Sequence, residues 1–93
     1  MTYKVIVEPE ALQDLKSIIS FITENDSLNR AMQFANELKA KMASLSDMPM
    51  RCRKSHYSEE GNTRDLIYKG YTIVFQVRVN TVHILTVFRQ KAY

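Results

Sequence analysis

Glycine and cysteine are scarce in this sequence, and their scarcity excludes several classes of protein. With only Gly61 and Gly70 among 93 residues, neither a P-loop nor a dinucleotide-binding glycine loop can be formed anywhere in the chain. The single cysteine, Cys52, cannot form an internal disulfide, which favours a reducing compartment. Cys52, His56 and the distant His83 supply at most three of the four ligands of a structural zinc ion, so we expect no metal and no cofactor.

Long apolar runs are also missing. No segment approaches the roughly 20 residues that cross a bilayer, and the first residues lead into an alternating pattern rather than the apolar stretch of a signal peptide. A Gly-x-Ser-x-Gly nucleophile motif is absent as well. We therefore expect a cytoplasmic protein that has no membrane contact and lacks the machinery of a serine hydrolase.

The composition is otherwise that of an ordinary globular protein, with 45% hydrophobic and 25% charged residues. A length of 93 residues predicts one domain spanning residues 1–93. The net charge of +3 is unevenly placed, because residues 48–93 carry eight lysines and arginines against three acidic residues, a net of +5. This half of the chain favours an anionic partner, either nucleic acid or an acidic protein segment.

The first half of the chain predicts a strand and a helical hairpin. Residues 3–7 alternate between two sets of side chains as in a strand, and Pro9 suits the first turn of a following helix. Apolar residues then recur at three-four spacing as far as Ile22, and again over residues 28–45. An N-cap sequence at residues 25–27 separates the two helices, which should therefore pack antiparallel.

The second half predicts three strands after a polar, basic connection at residues 47–61. The strands are expected at residues 63–68, 71–79 and 82–88, joined by turns at 69–70 and 80–81. The element order is then β-α-α-β-β-β, an α+β fold in which the helical hairpin packs on one face of a small, mainly antiparallel sheet.

The other face of this sheet is predicted to lack a cover. A two-residue turn at 80–81 would place Val77 opposite Ile84 on the helix-facing side. The uncovered face would then carry eight residues, three of them aliphatic: Thr72, Val74, Gln76, Arg78, His83, Leu85, Val87 and Arg89. Because one helical hairpin covers only one side, these aliphatic residues should be covered by the connection at 47–61, by the C-terminus, by a second copy of the chain or by a foreign partner.

Two groups of basic and aromatic residues could bind a phosphate backbone, although a solvated surface is the competing interpretation. The groups are Arg51, Arg53, Lys54 and His56 in the connection, and Arg89, Lys91 and Tyr93 at the C-terminal end. Arg64, at the head of a strand, is predicted either to form a structural ion pair with Asp65 or Glu59 or to anchor an anion.

Several short segments carry a resemblance to a known family. They are Tyr3–Val7, Asp14-Leu15, Arg64–Leu66, Gly70–Phe75 and Val82–Leu85, with Ala11, Leu45 and Pro49 between them. In this order and spacing the chain resembles the RelE/ParE superfamily of toxins from bacterial type II toxin–antitoxin modules, over essentially its whole length. The resemblance implies a toxin held inactive in a hetero-oligomer by an antitoxin, whose C-terminal segment wraps around the toxin and would cover the eight residues of the second sheet face. Another part of the antitoxin binds DNA, so the toxin would contact DNA only indirectly.

The resemblance allows two activities, which differ in the residues they need. RelE-like members cleave mRNA in the ribosome and commonly carry an arginine immediately after the tyrosine that begins the strand at 71–79, where this chain has Thr72. ParE-like members inhibit DNA gyrase and have no known hydrolytic site. Because RNA cleavage needs a base, an acid and cationic stabilisation, the missing arginine favours the gyrase inhibitor.

We therefore predict a growth-inhibiting toxin that acts on DNA gyrase and has no catalytic residues. One alternative is a ribosome-dependent mRNA interferase that uses Arg64, Arg89, Lys91 and Tyr93. A second alternative, from a different class, is a non-toxic or decayed module that still captures an antitoxin.

Overall fold

The computed structural model describes residues 2–55 and 58–89. The chain begins with strand β1 (Lys4–Val7), which leads directly into helix α1 (Pro9–Asn25). Pro9 occupies the first helical turn, where its missing N–H leaves no hydrogen bond unmade, as the sequence predicts.

Helix α2 (Leu28–Ala43) returns antiparallel to α1 after a short turn. The Oγ atom of Ser27 accepts a hydrogen bond from the backbone N–H of Arg30 at 3.1 Å, so the predicted N-cap is confirmed. The helix ends two residues before the predicted Leu45, but the chain continues as a 3₁₀ turn in which Leu45 is fully buried.

Five strands form one mixed sheet in the spatial order β1-β5-β4-β3-β2. Strand β1 runs parallel to β5, and the other pairs are antiparallel. The remaining strands are β2 (Arg53–Lys54), β3 (Thr63–Tyr68), β4 (Tyr71–Val77) and β5 (Thr81–Arg89). The predicted order and the helical hairpin on a mainly antiparallel sheet are confirmed, and the short β2 is an addition, since two residues carry no readable period.

The register of the β4–β5 hairpin differs from the prediction. Val77 pairs with Val82 rather than with Ile84, and the N–H of Arg78 donates to the carbonyl of Thr81 at 2.8 Å. The predicted turn at 80–81 was therefore wrong. A turn that begins at Arg78 lets Val77 and Val82 both face the core, and it leaves Val79 exposed at the tip of the hairpin.

A β-bulge at Leu85 then shifts the pairing within the same hairpin. Phe75 pairs with Ile84, but Val74 pairs with Thr86, so Leu85 is the extra residue. Val87 consequently packs in the helix-facing core, and Arg89 lies opposite Tyr71, which contacts that core. The predicted placement of Val87 and Arg89 on the face away from the helices was wrong, because a bulge reverses the alternation beyond it.

The main core lies between the helices and the sheet. It is built from the apolar faces of both elements: Ala11, Leu15, Ile18, Leu38, Met42, Leu45, Ile73, Phe75, Val77, Val82, Ile84 and Val87. Within residues 2–55 and 58–89, no helix has the length and apolar character that crossing a membrane requires.

Candidate functional site

The face of the sheet away from the helices, called here the second face, is buried at its centre. Val74 is 5% exposed and Thr72 is fully buried, while Leu85 is half-buried. Val87 has moved to the helix-facing core, where it is 2% exposed. The prediction that three aliphatic residues lie bare on this face was therefore wrong.

Polar contacts connect the residues at the rim of the second face. The Nε2 amide of Gln76 donates to Glu60 Oε2 at 2.9 Å, and Nε of Arg78 donates to Gln76 Oε1 at 3.0 Å. Gln76 also lies directly opposite His83 in the hairpin. The structure thus brings together three residues of the predicted partner-binding set, Gln76, Arg78 and His83.

His83 joins a carboxylate and a hydroxyl at the same rim. Its Nδ1 lies 2.6 Å from Glu8 Oε1, and its Nε2 lies 3.1 Å from Thr81 Oγ1. The connectivity is that of a hydrolase triad, but the His83 side chain is only 12% exposed. These contacts hold Glu8, immediately before α1, against β5.

Arg64 stabilises the connection between β2 and β3. Its Nε donates to the carbonyl of Gly61 at 3.1 Å, and its Nη1 donates to the carbonyl of Cys52 at 3.2 Å. Within the described residues it forms neither of the predicted ion pairs. Asp65 instead lies 3.5 Å from Nη2 of Arg53, because adjacent residues of a strand point to opposite faces of the sheet.

Of the four residues proposed for RNA cleavage, the structure describes Arg64 and Arg89, which lie apart on the sheet. Arg64 lies opposite Phe75 and Arg89 lies opposite Tyr71, on the two strands that flank β4. These two β4 positions are four residue steps apart, a distance of about 13 Å along the strand. The other two residues of that set, Lys91 and Tyr93, lie outside the described residues, as does His56 of the basic cluster.

A groove runs between α1 and the far end of the β4–β5 hairpin, and is called here the α1 groove. It encloses about 390 Å³ and is lined by Ser17, Ile18, Phe21, Tyr71 and Arg89. Phe21 is half exposed, so the groove is apolar with a guanidinium at its rim. Sequence reasoning missed Phe21; the available signal was a phenylalanine one helical turn beyond Ser17 and outside the apolar stripe.

Asp14 holds α1 against the β-bulge beside this groove. Its Oδ2 accepts hydrogen bonds from Thr86 Oγ1 at 2.6 Å and from the backbone N–H of Val87 at 3.0 Å. Strand β1 pairs with β5 only as far as Ile84, so Asp14 supplies the acceptor that β1 no longer provides. The carboxylate thereby fixes the part of β5 that carries Arg89.

A charged cluster closes the β3–β4 turn onto α2. Glu37 Oε1 accepts hydrogen bonds from Lys69 Nζ at 2.8 Å and from the hydroxyl of Tyr68. The bond from the Lys69 ammonium, followed by that from Tyr68, lowers the pKa of Glu37, and the Glu37 carboxylate raises the pKa of both partners. The ammonium groups of Lys41 and Lys69 lie 5.2 and 5.4 Å from the Tyr68 ring centroid.

Cys52 offers no reactive thiol. Burial raises its pKa, with the neighbouring Arg51 opposing the shift, so the thiol is protonated at neutral pH. Within the described residues, no group of three or more His, Cys, Asp or Glu side chains is placed to hold a metal ion.

The topology and the sheet order define a class of protein. A helical hairpin on one face of a mixed sheet with parallel β1 and β5 is the fold of the RelE/ParE superfamily of toxins. The chain belongs to one family of that class, the ParE toxin of the type II toxin–antitoxin system, parDE, whose family model matches residues 5–92.

Solved structures share this fold. A chain described as the chromosomal ParDE toxin–antitoxin system from P. aeruginosa superposes with a TM-score of 0.83 and 16% identity, over 97% of this chain and 98% of that chain. A chain of the toxin–antitoxin complex RelBE2 from Mycobacterium tuberculosis superposes with a TM-score of 0.62 and 24% identity, over 97% of this chain and 93% of that chain. No curated protein sequence matches the chain significantly.

Proposed function

We propose that this toxin arrests growth in the bacterial cytoplasm by binding and inhibiting DNA gyrase, and that a cognate antitoxin neutralises it in a hetero-oligomer. Membership of the ParE toxin family supports the toxin role. Inhibition by binding requires a surface that fits the target and needs no catalytic residue. The alternative, an mRNA interferase, requires cationic and acid–base groups converging on a phosphate.

The burial of Thr72 is the observation that favours one of these two activities over the other. Thr72 lies between Ile67 on β3 and Phe88 on β5 and is fully buried. Within the described residues its hydroxyl has no hydrogen-bond partner. RelE-like nucleases commonly place an arginine at this position, whereas the Thr72 side chain carries no cation and is covered by the chain, so it cannot contact RNA. The burial therefore supports inhibition by binding.

The contacts of Arg64 point the same way. Its guanidinium donates to two backbone carbonyls, so it is engaged in holding the connection between β2 and β3. An arginine that stabilises a phosphorane must have donors aimed at the ligand. Using Arg64 in cleavage would require breaking both hydrogen bonds.

The α1 groove and the rim of the second face are the surfaces we assign to the antitoxin. Two solved structures with this fold are described as toxin–antitoxin systems. Phe21 and Tyr71 offer apolar contact in the groove, with Arg89 beside them for a carboxylate. At the rim, Arg78 is exposed and its side chain is hydrogen-bonded to Gln76. Leu85, the residue after Ile84 on β5, is half-buried.

Inducible expression followed by two assays tests the proposed target. We expect growth arrest, loss of gyrase supercoiling activity in the presence of the purified toxin, and intact ribosome-bound mRNA. Cleaved transcripts with normal supercoiling would establish the interferase instead. The absence of any growth effect would favour the non-toxic, antitoxin-binding module.

A matched pair of variants tests the antitoxin surface. Phe21→Ser should weaken binding of the cognate antitoxin by about tenfold or more. Leu12→Ser, which changes a similarly exposed residue of α1 outside the groove, should bind as the wild type does. Equal affinities for the two variants would remove the groove from the antitoxin interface.

A further inference from the structure

A second apolar surface shares no residue with the α1 groove or with the second-face rim. This methionine surface is formed by Tyr3, Met48, Pro49, Met50 and Arg51 around a shallow depression of about 510 Å³. Met48 is 66% exposed and Met50 is 45% exposed, whereas Pro49 between them is buried. The surface shares no residue with the α1 groove, so one partner can contact it while another occupies the groove.

The backbone at Met48 is strained, and the Met48 side chain is exposed. Met48 has φ 47° and ψ 54°, the left-handed conformation, and it precedes a proline, which disfavours helical conformations of the residue before it. A non-glycine residue adopts this conformation only at an energetic cost. Glycine or asparagine would relieve the strain. An exposed methionine at this position therefore contributes nothing evident to folding, and such strain is characteristic of binding sites.

The charges beside the methionines define the chemistry of the partner. Arg51, Arg53 and Lys54 follow within four residues of Met50, and no acidic residue occurs from 48 to 58. Asp65 faces Arg53, but in the part of the chain that the structure describes neither Arg51 nor Lys54 forms an ion pair. Flexible methionine side chains adapt to apolar protein side chains and contribute nothing to phosphate contacts. The complement of this surface is an acidic, amphipathic protein segment.

We propose that the methionine surface is where the toxin contacts its target protein, through an acidic, amphipathic segment of that target. The inference rests on the proposed function for the existence of a protein target, and it names the docking surface. The antitoxin binds elsewhere, in the α1 groove and at the second-face rim. Toxicity and antitoxin binding are consequently separable by substitution.

The double variant Met48→Asn/Met50→Gln tests the surface without disturbing the turn. Asparagine adopts the left-handed conformation readily, and glutamine has nearly the size of methionine, so the fold is retained and the apolar contact is lost. The matched control is Leu28→Asn/Met32→Gln on α2, where the side chains are 60% and 46% exposed. Thermal unfolding of both variants checks that each is folded.

The measurements are growth arrest, inhibition of supercoiling by purified gyrase, and affinity for the cognate antitoxin. For the methionine variant we expect loss of growth arrest, about tenfold or more toxin needed for half-inhibition, and antitoxin affinity within about twofold of wild type. Arg51→Glu should act in the same direction, and the α2 control should match the wild type in all three measurements.

Three results would each remove the surface from the target interface: wild-type potency of the methionine variant, an equal loss in the α2 control, or a tenfold loss of antitoxin affinity. Tight binding of duplex DNA that depends on Arg51 would do the same. If the wild type arrests growth without inhibiting gyrase, the proposed target is wrong and growth arrest alone decides the surface. If the wild type does neither, both proposals are overturned.

Discussion

The two faces of the sheet are both buried at their centres, but by different kinds of side chain. The helix-facing side carries the largest fully buried apolar residues, with Phe75 at the centre of β4. The second face buries Thr63, Asp65 and Thr72 around Val74. The first face therefore provides most of the hydrophobic stabilisation, whereas the second face buries mainly polar side chains.

The largest expected effect comes from truncating two adjacent residues of β4, one on each face of the sheet. Phe75→Ala should lower the free energy of unfolding by about 4 kcal/mol, because it leaves a large cavity in the helix-facing core. Val74→Ala should lower it by about 2 kcal/mol, because fewer methyl groups leave a buried site. Urea denaturation of the two variants measures both. If Val74→Ala has no effect, the second face is not a packed region and the comparison fails.

Removing the carboxylate that fixes the bulge should have an intermediate effect. Asp14→Ala deletes the acceptor of two hydrogen bonds, from Thr86 Oγ1 and from the N–H of Val87, and leaves that N–H without its acceptor. A loss of about 2 kcal/mol in unfolding free energy is expected, against about 1 kcal/mol for the isosteric Thr86→Val.

Hydrogen exchange at the Val87 amide supplies a local readout of the same link. Exchange should accelerate in Asp14→Ala but change little in Thr86→Val, since only the first variant frees the amide. Equal acceleration in both would mean that the hydroxyl, rather than the backbone contact, holds the bulge. In that case the orientation of Val87 and Arg89 would depend on the bond from Thr86 Oγ1 to Asp14 rather than on the bond from the Val87 amide.

Local signals account for the parts of the fold that could be predicted from the sequence. Ser27 caps α2 through a bond to a residue three positions away. Strand β3 has the predicted bounds 63–68, and the turn that follows uses Lys69 and Gly70 with φ of 49° and 83°, the left-handed pair that a two-residue hairpin requires. Each of these features is encoded within a few neighbouring residues.

The bulge could not be predicted, because it depends on a contact between distant parts of the chain. Asp14 and Val87 are 73 positions apart, and no alternation pattern near Leu85 reveals the carboxylate. Gln76 and His83 precede the bulge and lie together on the second face, as expected. Val87 and Arg89, which follow the bulge, do not lie on the second face. Phe21 could not be predicted for the same reason, because it lines the α1 groove only when α1 lies beside β4 and β5.

The smallest expected effect concerns two carboxylates, one at the rim of each face of the sheet. Hydrogen bonds from Lys69 and Tyr68 lower the pKa of Glu37 below its ordinary value of 4.5. The resulting stability is present above that pH and is lost as the pH falls through the lower, folded-state pKa. Because the cluster is solvent-exposed and screened, the effect on the melting temperature should be small.

Melting temperatures from neutral pH down to about pH 3 test this sign. The difference between wild type and Glu37→Gln should be largest near neutrality and should shrink below the ordinary glutamate value of 4.5. Glu60→Gln is the control, because Glu60 at the second-face rim accepts from the neutral amide of Gln76 rather than from an ammonium. Its difference from wild type at neutral pH should be smaller. A Glu37→Gln difference that stays constant across the range would show that the contact stabilises as a neutral hydrogen bond, without a contribution from charge.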